Sequence, residues 1–328
     1  MAQTRNVVIG MDLGGTNVRA AVFSMEGALL ARSQTLMEAA RGPTVGLENV
    51  RKLIEEVLGL AGSVALRGIG IGSTGPLDRA RGTIQNPWTL PTWKDVDIVS
   101  PLSAHFHVPV MLENDADAAA LGEYWQGAGK GVHRLCALTV GTGVGTGFIL
   151  DGSIYRGWRG LHCEVGHQVL DPNGPECYCG AHGCMEVLIA GPALGKLARE
   201  KAAAEKKSLL WEMAGGNIDQ IDARTAMEAA RRGDPAALEV AQHAGRYLGL
   251  GLVNIIAFLA PEVIVLGGSV MSSYDLLQPM VREILERHSV LMPSREVCIV
   301  PAQLGDNAGV CGAALTAIQT LPSDVRIR

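Results

Sequence analysis

The chain has 328 residues, of which 48% are hydrophobic, and a formal net charge of -5. A chain of this length buries a large core and is expected to divide into two domains. No apolar run reaches the ~18 residues of a membrane span, and no lysine or arginine cluster offers a nucleic-acid footprint. The strand pattern starts within a few residues of the N-terminus, so neither a signal peptide nor a DNA-binding domain is expected ahead of it.

In chain order, Asn6 to Asp12 is a short apolar run that fits a buried strand, and Gly14-Gly15-Thr16 forces a tight turn into a second run, VRAAVFS. Met25-Glu26-Gly27 reads as a hairpin turn into a third strand, ALLARSQTL. Apolar spacing turns helical from Val45 to Leu60. The strand RGIGIGS then ends at Ser73-Thr74-Gly75-Pro76, and the strand Val108 to Leu112 exits into Glu113-Asn114-Asp115. Asp115 or Asp117 is expected to cap the helix that follows, AAALGEYWQG. One cap would suffice, so Glu113, Asn114, Asp115 and Asp117 together also point to a ligand cleft beyond the strand ends.

From Arg134 the opening pattern returns: the strand LCALTV, the glycine-rich turn GTGVGTG, the strand FIL, an Asp151-Gly152 turn, and SIY. Residues 6 to 36 and 134 to 156 therefore read as one supersecondary unit used twice. Helices follow at about 190 to 204, 224 to 232 and 234 to 260, then a buried strand EVIVLGG, a helix near 276 to 288, a strand CIVPA, and a closing helix from about Asn307 to Thr320.

Two glycine-rich turns after strands present bare backbone N–H groups, as a polyphosphate requires. Thr16, Asn17, Thr142 and Thr146 would add side-chain donors. Neither turn is a Walker loop or a dinucleotide fingerprint, because no GKS or GKT follows and each leads into a strand. Asp12, at the end of the first strand, is assigned to Mg²⁺, directly or through water, with a cap on the Gly14 turn as its structural alternative. Gly267-Gly268-Ser269 reads either as a shelf for a flat adenine ring or as an ordinary strand-to-helix turn.

The 7 cysteines are an odd number. Cys136, Cys163, Cys298 and Cys311 sit in or beside apolar or small-residue runs, a pattern that fits a reducing cytoplasm. The other three lie in EVGHQVLDPNGPECYCGAHGCME, residues 164 to 186, where His167, Cys177, Cys179 and Cys184 form a donor set suited to a closed, tetrahedral, structural Zn²⁺ site. Gly180 and Gly183 would wrap the ion at positive φ, and His182 reads as a solvent-facing spare. Glu164 and Glu186 are not needed as ligands, and their placement suggests that the loop holds carboxylates toward hydroxyl groups.

These residues resemble the ROK family of sugar kinases within the actin-like hexokinase superfamily, above all its bacterial ATP-dependent glucokinases. The likeness is carried by DLGGTNVR at 12 to 19, ENDADAAALGE at 113 to 123, GTGVGTG at 141 to 147, EVGH at 164 to 167, CYCGAHGCME at 177 to 186 and LGGSV at 266 to 270. The resemblance implies an α/β fold of duplicated actin-like (ribonuclease H-like) domains with the active site in a cleft. A smaller domain over 1–115 plus 306–328 and a larger one over 116–305 are expected.

The reaction it implies is ATP-dependent phosphorylation of a hexose 6-hydroxyl, most simply glucose. Kinases of N-acetylmannosamine or N-acetylglucosamine, broader hexokinases for mannose or fructose, and a non-catalytic sugar-binding regulator are the alternatives. Asp115 is implied as catalytic base, and Asn114, Asp115, Glu164, His167 and Glu186 as sugar ligands, with Gly75 and Asn86 bordering the sugar. Asp12, Gly14, Gly15, Thr16, Asn17, Thr142, Gly143, Gly145, Gly267 and Gly268 would serve Mg-ATP. The resemblance further implies a cytoplasmic homodimer or dimer of dimers. Three features depart from the pattern: Asp117, where the family often has asparagine; the loop Ser73-Thr74-Gly75-Pro76, in place of a more usual proline-glycine start; and His162-Cys163, where small residues are common.

Overall fold

The computed structural model describes residues 5–291 and 294–322. Residues 323–328 of the expected smaller domain lie outside the described residues. The first sheet is built from β1 (Arg5–Leu13), β2 (Asn17–Ser24), β3 (Leu29–Leu36) and β4 (Val64–Ser73). Three two-residue strands then make a small antiparallel sheet: β5 (Leu77–Asp78), β6 (Thr83–Ile84) and β7 (Val96–Asp97). With β8 (Val110–Asn114) the first sheet has the order β3-β2-β1-β4-β8. The second sheet takes β9 (Arg134–Val140), β10 (Val144–Leu150), β11 (Ser153–Ile154), β12 (Val263–Gly267) and β13 (Cys298–Pro301) in the order β11-β10-β9-β12-β13.

The two orders correspond strand for strand, so the repeat legible in two hairpins extends to whole sheets. In each, β1 or β9 lies at the centre, with parallel neighbours on one side. The chain divides into two compact units, the first running to His133 and taking in 147–162 and the chain from Gln303, the second comprising 134–146 and 163–302.

Ten helices complete the described residues: α1 (Pro43–Ala61), α2 (Val99–Phe106), α3 (Asp115–Gln126), α4 (Met185–Ile189), α5 (Gly191–Ala204), α6 (Leu209–Met213), α7 (Ala223–Arg231), α8 (Pro235–Leu259), α9 (Tyr274–Arg287) and α10 (Ala308–Thr320). Proline at the first helical position starts α1 and α8. Asp234 caps α8 by accepting Ala237 N–H at 2.9 Å. No helix among the described residues is long and apolar enough to cross a membrane.

Backbone approach fixes the first unit. Helix α10 lies so close to β1 and β4 that a Cβ on Gly10 or Gly70 would fall 1.8 Å from the carbonyl of Val310 or Ala313. It also packs on α3, where Gly312 faces Ala118 O. Glu123 ties the same corner: its buried carboxylate accepts the N–H groups of Ala128, Gln303 and Leu304 at 2.8–3.2 Å. Cys298, in the expected strand CIVPA, is exposed on β13. The short sheet from Leu77 to Asp97 has no counterpart among the expected elements, because two-residue strands carry no readable periodicity.

Candidate active site and metal centre

In the first unit, β1, β4 and β8 run parallel, so their carboxyl ends gather on one edge of the sheet. Asp12, Ser73 and Asn114 stand at those ends, the edge where α/β sheets bind ligands. Asn114, rather than Asp115 or Asp117, caps α3: its Oδ1 accepts Ala116 N–H at 2.9 Å and Asp117 N–H at 3.2 Å. The cap turns Asn114 Nδ2 toward Gly75, where a Cβ would stand 3.5 Å from it.

Asp115, relieved of capping, accepts Ala116 N–H through Oδ1 at 2.8 Å, and Oδ2 has no protein partner among the described residues. Burial pushes its carboxyl up to about 6; the Ala116 amide opposes this, the charge of Asp12 adds to it, and His162 subtracts. Asp117 is buried and meets His162 Nδ1 at 3.0 Å. Two of the three departures from the family pattern therefore pair with each other, one acidic and one basic, beside Asp115.

Glu113 is fully buried, with Arg79 Nε at 3.1 Å and Arg156 Nη2 as its partners. Burial raises its pKa and the two guanidiniums lower it. Glu113→Gln would leave two arginines facing a neutral amide beneath the Asn114 cap. We expect a loss of about 3 kcal/mol, read as a lower thermal midpoint.

Asp12 does not cap the Gly14 turn, which closes through Gly14 N–H to Asn17 O at 3.0 Å. Its Oδ2 takes Arg19 Nη1 at 3.1 Å, and Arg19 also reaches Asp306 at 3.2 Å. Burial raises the Asp12 pKa against the Arg19 hydrogen bond and charge. Gly309 leaves its other face open, since a Cβ there would stand 3.2 Å from the carboxyl carbon. Thr16 and Asn17 are exposed on the turn, and Gly15 packs against Thr89 O, where a Cβ would come within 2.5 Å.

Asn86 is corrected as a sugar-facing group. It is 2% exposed, its amide donates to Thr74 Oγ1 and Thr89 Oγ1, and its carbonyl accepts the N–H groups of Trp88 and Thr89. All of its hydrogen-bonding capacity is used within the loop. The hydroxyls it positions, Thr74 and Thr89, lie 3.1 Å apart.

In the second unit, parallel β9 and β12 end together at the turn from Gly141 and at Gly267-Gly268. Gly268, at φ +89°, passes so close to Val140 O that a Cβ would stand 2.4 Å away. Thr142 is exposed on the glycine turn. Thr146, expected as a donor, is buried and bonds Cys163 O at 3.0 Å. Glu186 Oε2 accepts Val144 N–H at 2.8 Å and lies against the turn that carries Gly143 and Gly145, so the helix that follows the cysteine loop holds the glycine turn.

His167, Cys177, Cys179 and Cys184 converge, with one donor atom from each lying within 4.8 Å of the others. Zinc bonds of about 2.3 Å to sulfur and about 2.0–2.1 Å to nitrogen give tetrahedral edges of about 3.8 Å between sulfurs and about 3.6 Å from sulfur to nitrogen. The Cys179 and Cys184 sulfurs are 3.6 Å apart, and Cys177 Sγ is 3.5 Å from His167 Nδ1. The set fits the ion. Gly180 and Gly183 take φ of +92° and +61°, as the loop requires. His182 is exposed and faces Gly174 O at 3.3 Å. Helix α8 supports the loop through Tyr247 to Asp171 and Asn254 to Gln168, each at 2.9 Å. Glu164 is exposed.

The pattern of the ROK family spans residues 8–320. The chain belongs to the ROK family. This ROK chain is 33% identical to the glucokinase of Thermotoga maritima over 94% of its own length and 96% of that protein. Among solved structures it is similar to a ROK hexokinase from Thermus thermophilus, at 36% identity and a TM-score of 0.81, covering 95% of this chain and 98% of that one. A ROK glucokinase from Streptomyces griseus, solved in complex with glucose and AMPPNP, is 31% identical with a TM-score of 0.78, covering 95% and 99%. The ROK fold is thus the two-domain, actin-like sugar-kinase fold, and the duplicated strand orders are its signature here.

Proposed function

We propose that the protein transfers the γ-phosphoryl group of ATP to the 6-hydroxyl of a hexose, with glucose as the preferred acceptor. The observation that carries the reading is Asp115: an unshared carboxylate oxygen at a sheet's carboxyl edge, with its pKa moved toward neutrality. Its support from relatives is the Streptomyces griseus glucokinase, whose complex holds glucose and an ATP analogue. In this reading Asp115 accepts the O6 proton as the O6–phosphorus bond forms and the bond to the β-phosphate bridging oxygen breaks, releasing ADP. Phosphoryl transfer depends chiefly on positioning and charge stabilisation.

Asn114 Nδ2, Glu164, His167 and the remaining oxygen of Glu186 bind sugar hydroxyls, with Gly75 giving the sugar room. The turns at Gly14-Gly15-Thr16-Asn17 and Thr142-Gly143-Gly145 bind phosphates through N–H groups, and Gly267-Gly268 faces the adenine. Asp12 holds Mg²⁺, which would offset phosphate charge when bound. Zinc, when bound to its four residues, serves as a cross-link and not in the chemistry.

The test is sugar-dependent ADP release with Mg-ATP across glucose, mannose, fructose, N-acetylmannosamine and N-acetylglucosamine. A preference for glucose supports the reading, an acetamido sugar would replace the substrate, and silence on every sugar would refute it. The pH profile adds a second check. Asp115 works ionised, and its pKa is raised, so kcat/KM should be flat above neutrality and fall about tenfold per unit below pH about 6. A profile flat to pH 4.5 would contradict the assignment. Light scattering tests the expected dimer or dimer of dimers.

A further inference from the structure

Tyr178 stands between two cysteines of the zinc set, and its side chain is 81% exposed. Even so, its hydroxyl is turned inward, 3.0 Å from His167 Nε2. The two rings meet edge to face, with centroids 5.1 Å apart and planes at 88°. The other imidazole nitrogen, Nδ1, faces Cys177 Sγ at 3.5 Å and belongs to the metal set. Only Nε2 remains for a sugar hydroxyl, and a ring nitrogen makes one hydrogen bond.

We propose that Tyr178 is a stopper displaced by substrate: its hydroxyl occupies the position on His167 Nε2 that a hexose hydroxyl takes. The proposal rests on the hexose-kinase reading and names a residue that sets the acceptor's affinity. Hexose then binds in competition with an intramolecular hydrogen bond. The backbone on both sides is held by the loop's hydrogen bonds, Cys177 N–H to Ala181 O at 2.8 Å and Gly180 N–H to Cys177 O at 2.9 Å. Displacement is therefore a rotation of the side chain, and a ring this exposed gives up little packing when it turns. A sugar that places a hydroxyl on Nε2 recovers the lost bond, whereas one lacking that hydroxyl leaves the stopper in place.

The experiment uses the zinc-loaded enzyme and Tyr178→Phe, which keeps the ring and removes the hydroxyl. Glucose binding is measured by calorimetry without nucleotide, together with KM and kcat in the ADP assay and zinc content. The stopper predicts that glucose Kd and KM both fall, by roughly 2- to 10-fold for one net hydrogen bond, with kcat and zinc unchanged. Tyr178→Leu must move Kd in the same direction. An unchanged Kd overturns the proposal, and a raised Kd overturns it by making Tyr178 a sugar contact; either result leaves the kinase reading standing if wild type turns over hexose. Wild-type protein that neither binds glucose nor releases ADP with any hexose overturns both.

Discussion

Asp115→Asn is expected to lower turnover by roughly 10²- to 10⁴-fold, the usual contribution of a positioned base, without lowering stability at neutral pH. The two halves of this prediction share one cause. Burial raises the Asp115 carboxyl to about 6, so between the ordinary carboxylate range and that value the folded protein holds a proton that the unfolded chain has released. Stability is therefore lost as pH rises through about 6, and the ionised group is a burden on folding at pH 7. Asparagine removes the charge and can still accept Ala116 N–H.

For a half-buried group the relief is about 1–2 kcal/mol, partly offset by the helix N-terminus, which favours an anion by roughly 0.3–1 kcal/mol. Steady-state kinetics and calorimetric unfolding on the same preparation check both. An Asn variant that is inactive because it is unfolded would contradict the account, as would one that keeps substantial turnover.

Cys177→Ser is expected to release one zinc per chain and to weaken ATP binding as well as stability. Structural zinc contributes roughly 10–16 kcal/mol of apparent binding free energy in isolated fingers. Here only the part not supplied by α8 and the backbone pairs of the loop would be lost, on the order of several kcal/mol. The effect on ATP follows from Glu186. It lies two residues after Cys184 and accepts Val144 N–H at 2.8 Å, so loosening the cysteine loop loosens the glycine turn. Elemental analysis should show loss of zinc, calorimetry a lower midpoint, and kinetics a raised KM for ATP. Full zinc content in the variant would remove Cys177 from the set.

Much of this arrangement was legible because its signals were local. One imidazole and three thiols within eighteen positions implied a metal-ligand cluster, and the four side chains converge; two strand-turn-strand units implied duplication, and the two sheets share one strand order. Boundaries of long elements were also close, because apolar periodicity persists over many residues in α1 and α8. The cap was misassigned because Asn114, Asp115 and Asp117 all carry capping oxygens, and composition cannot tell which one precedes the first helical turn.

Asn86 and Thr146 were misread for a different reason. Each is polar in a candidate loop, yet each turns inward to satisfy that loop, a distinction made by burial and not by residue type. Partners distant in sequence were harder still. Arg79 and Arg156 meet Glu113 from 34 and 43 positions away, and no spacing rule links them. The Asp117–His162 pair did leave a signal, since two departures of opposite chemistry are what a contact produces.

The most direct test of the central claim is to incubate the purified protein with glucose and Mg-ATP and follow phosphorus by NMR. The account predicts a phosphomonoester on the sugar 6-oxygen, accumulating in one-to-one proportion with ADP and absent with Asp115→Asn. ADP formed without phosphorylated sugar, or no reaction with any hexose, would contradict it.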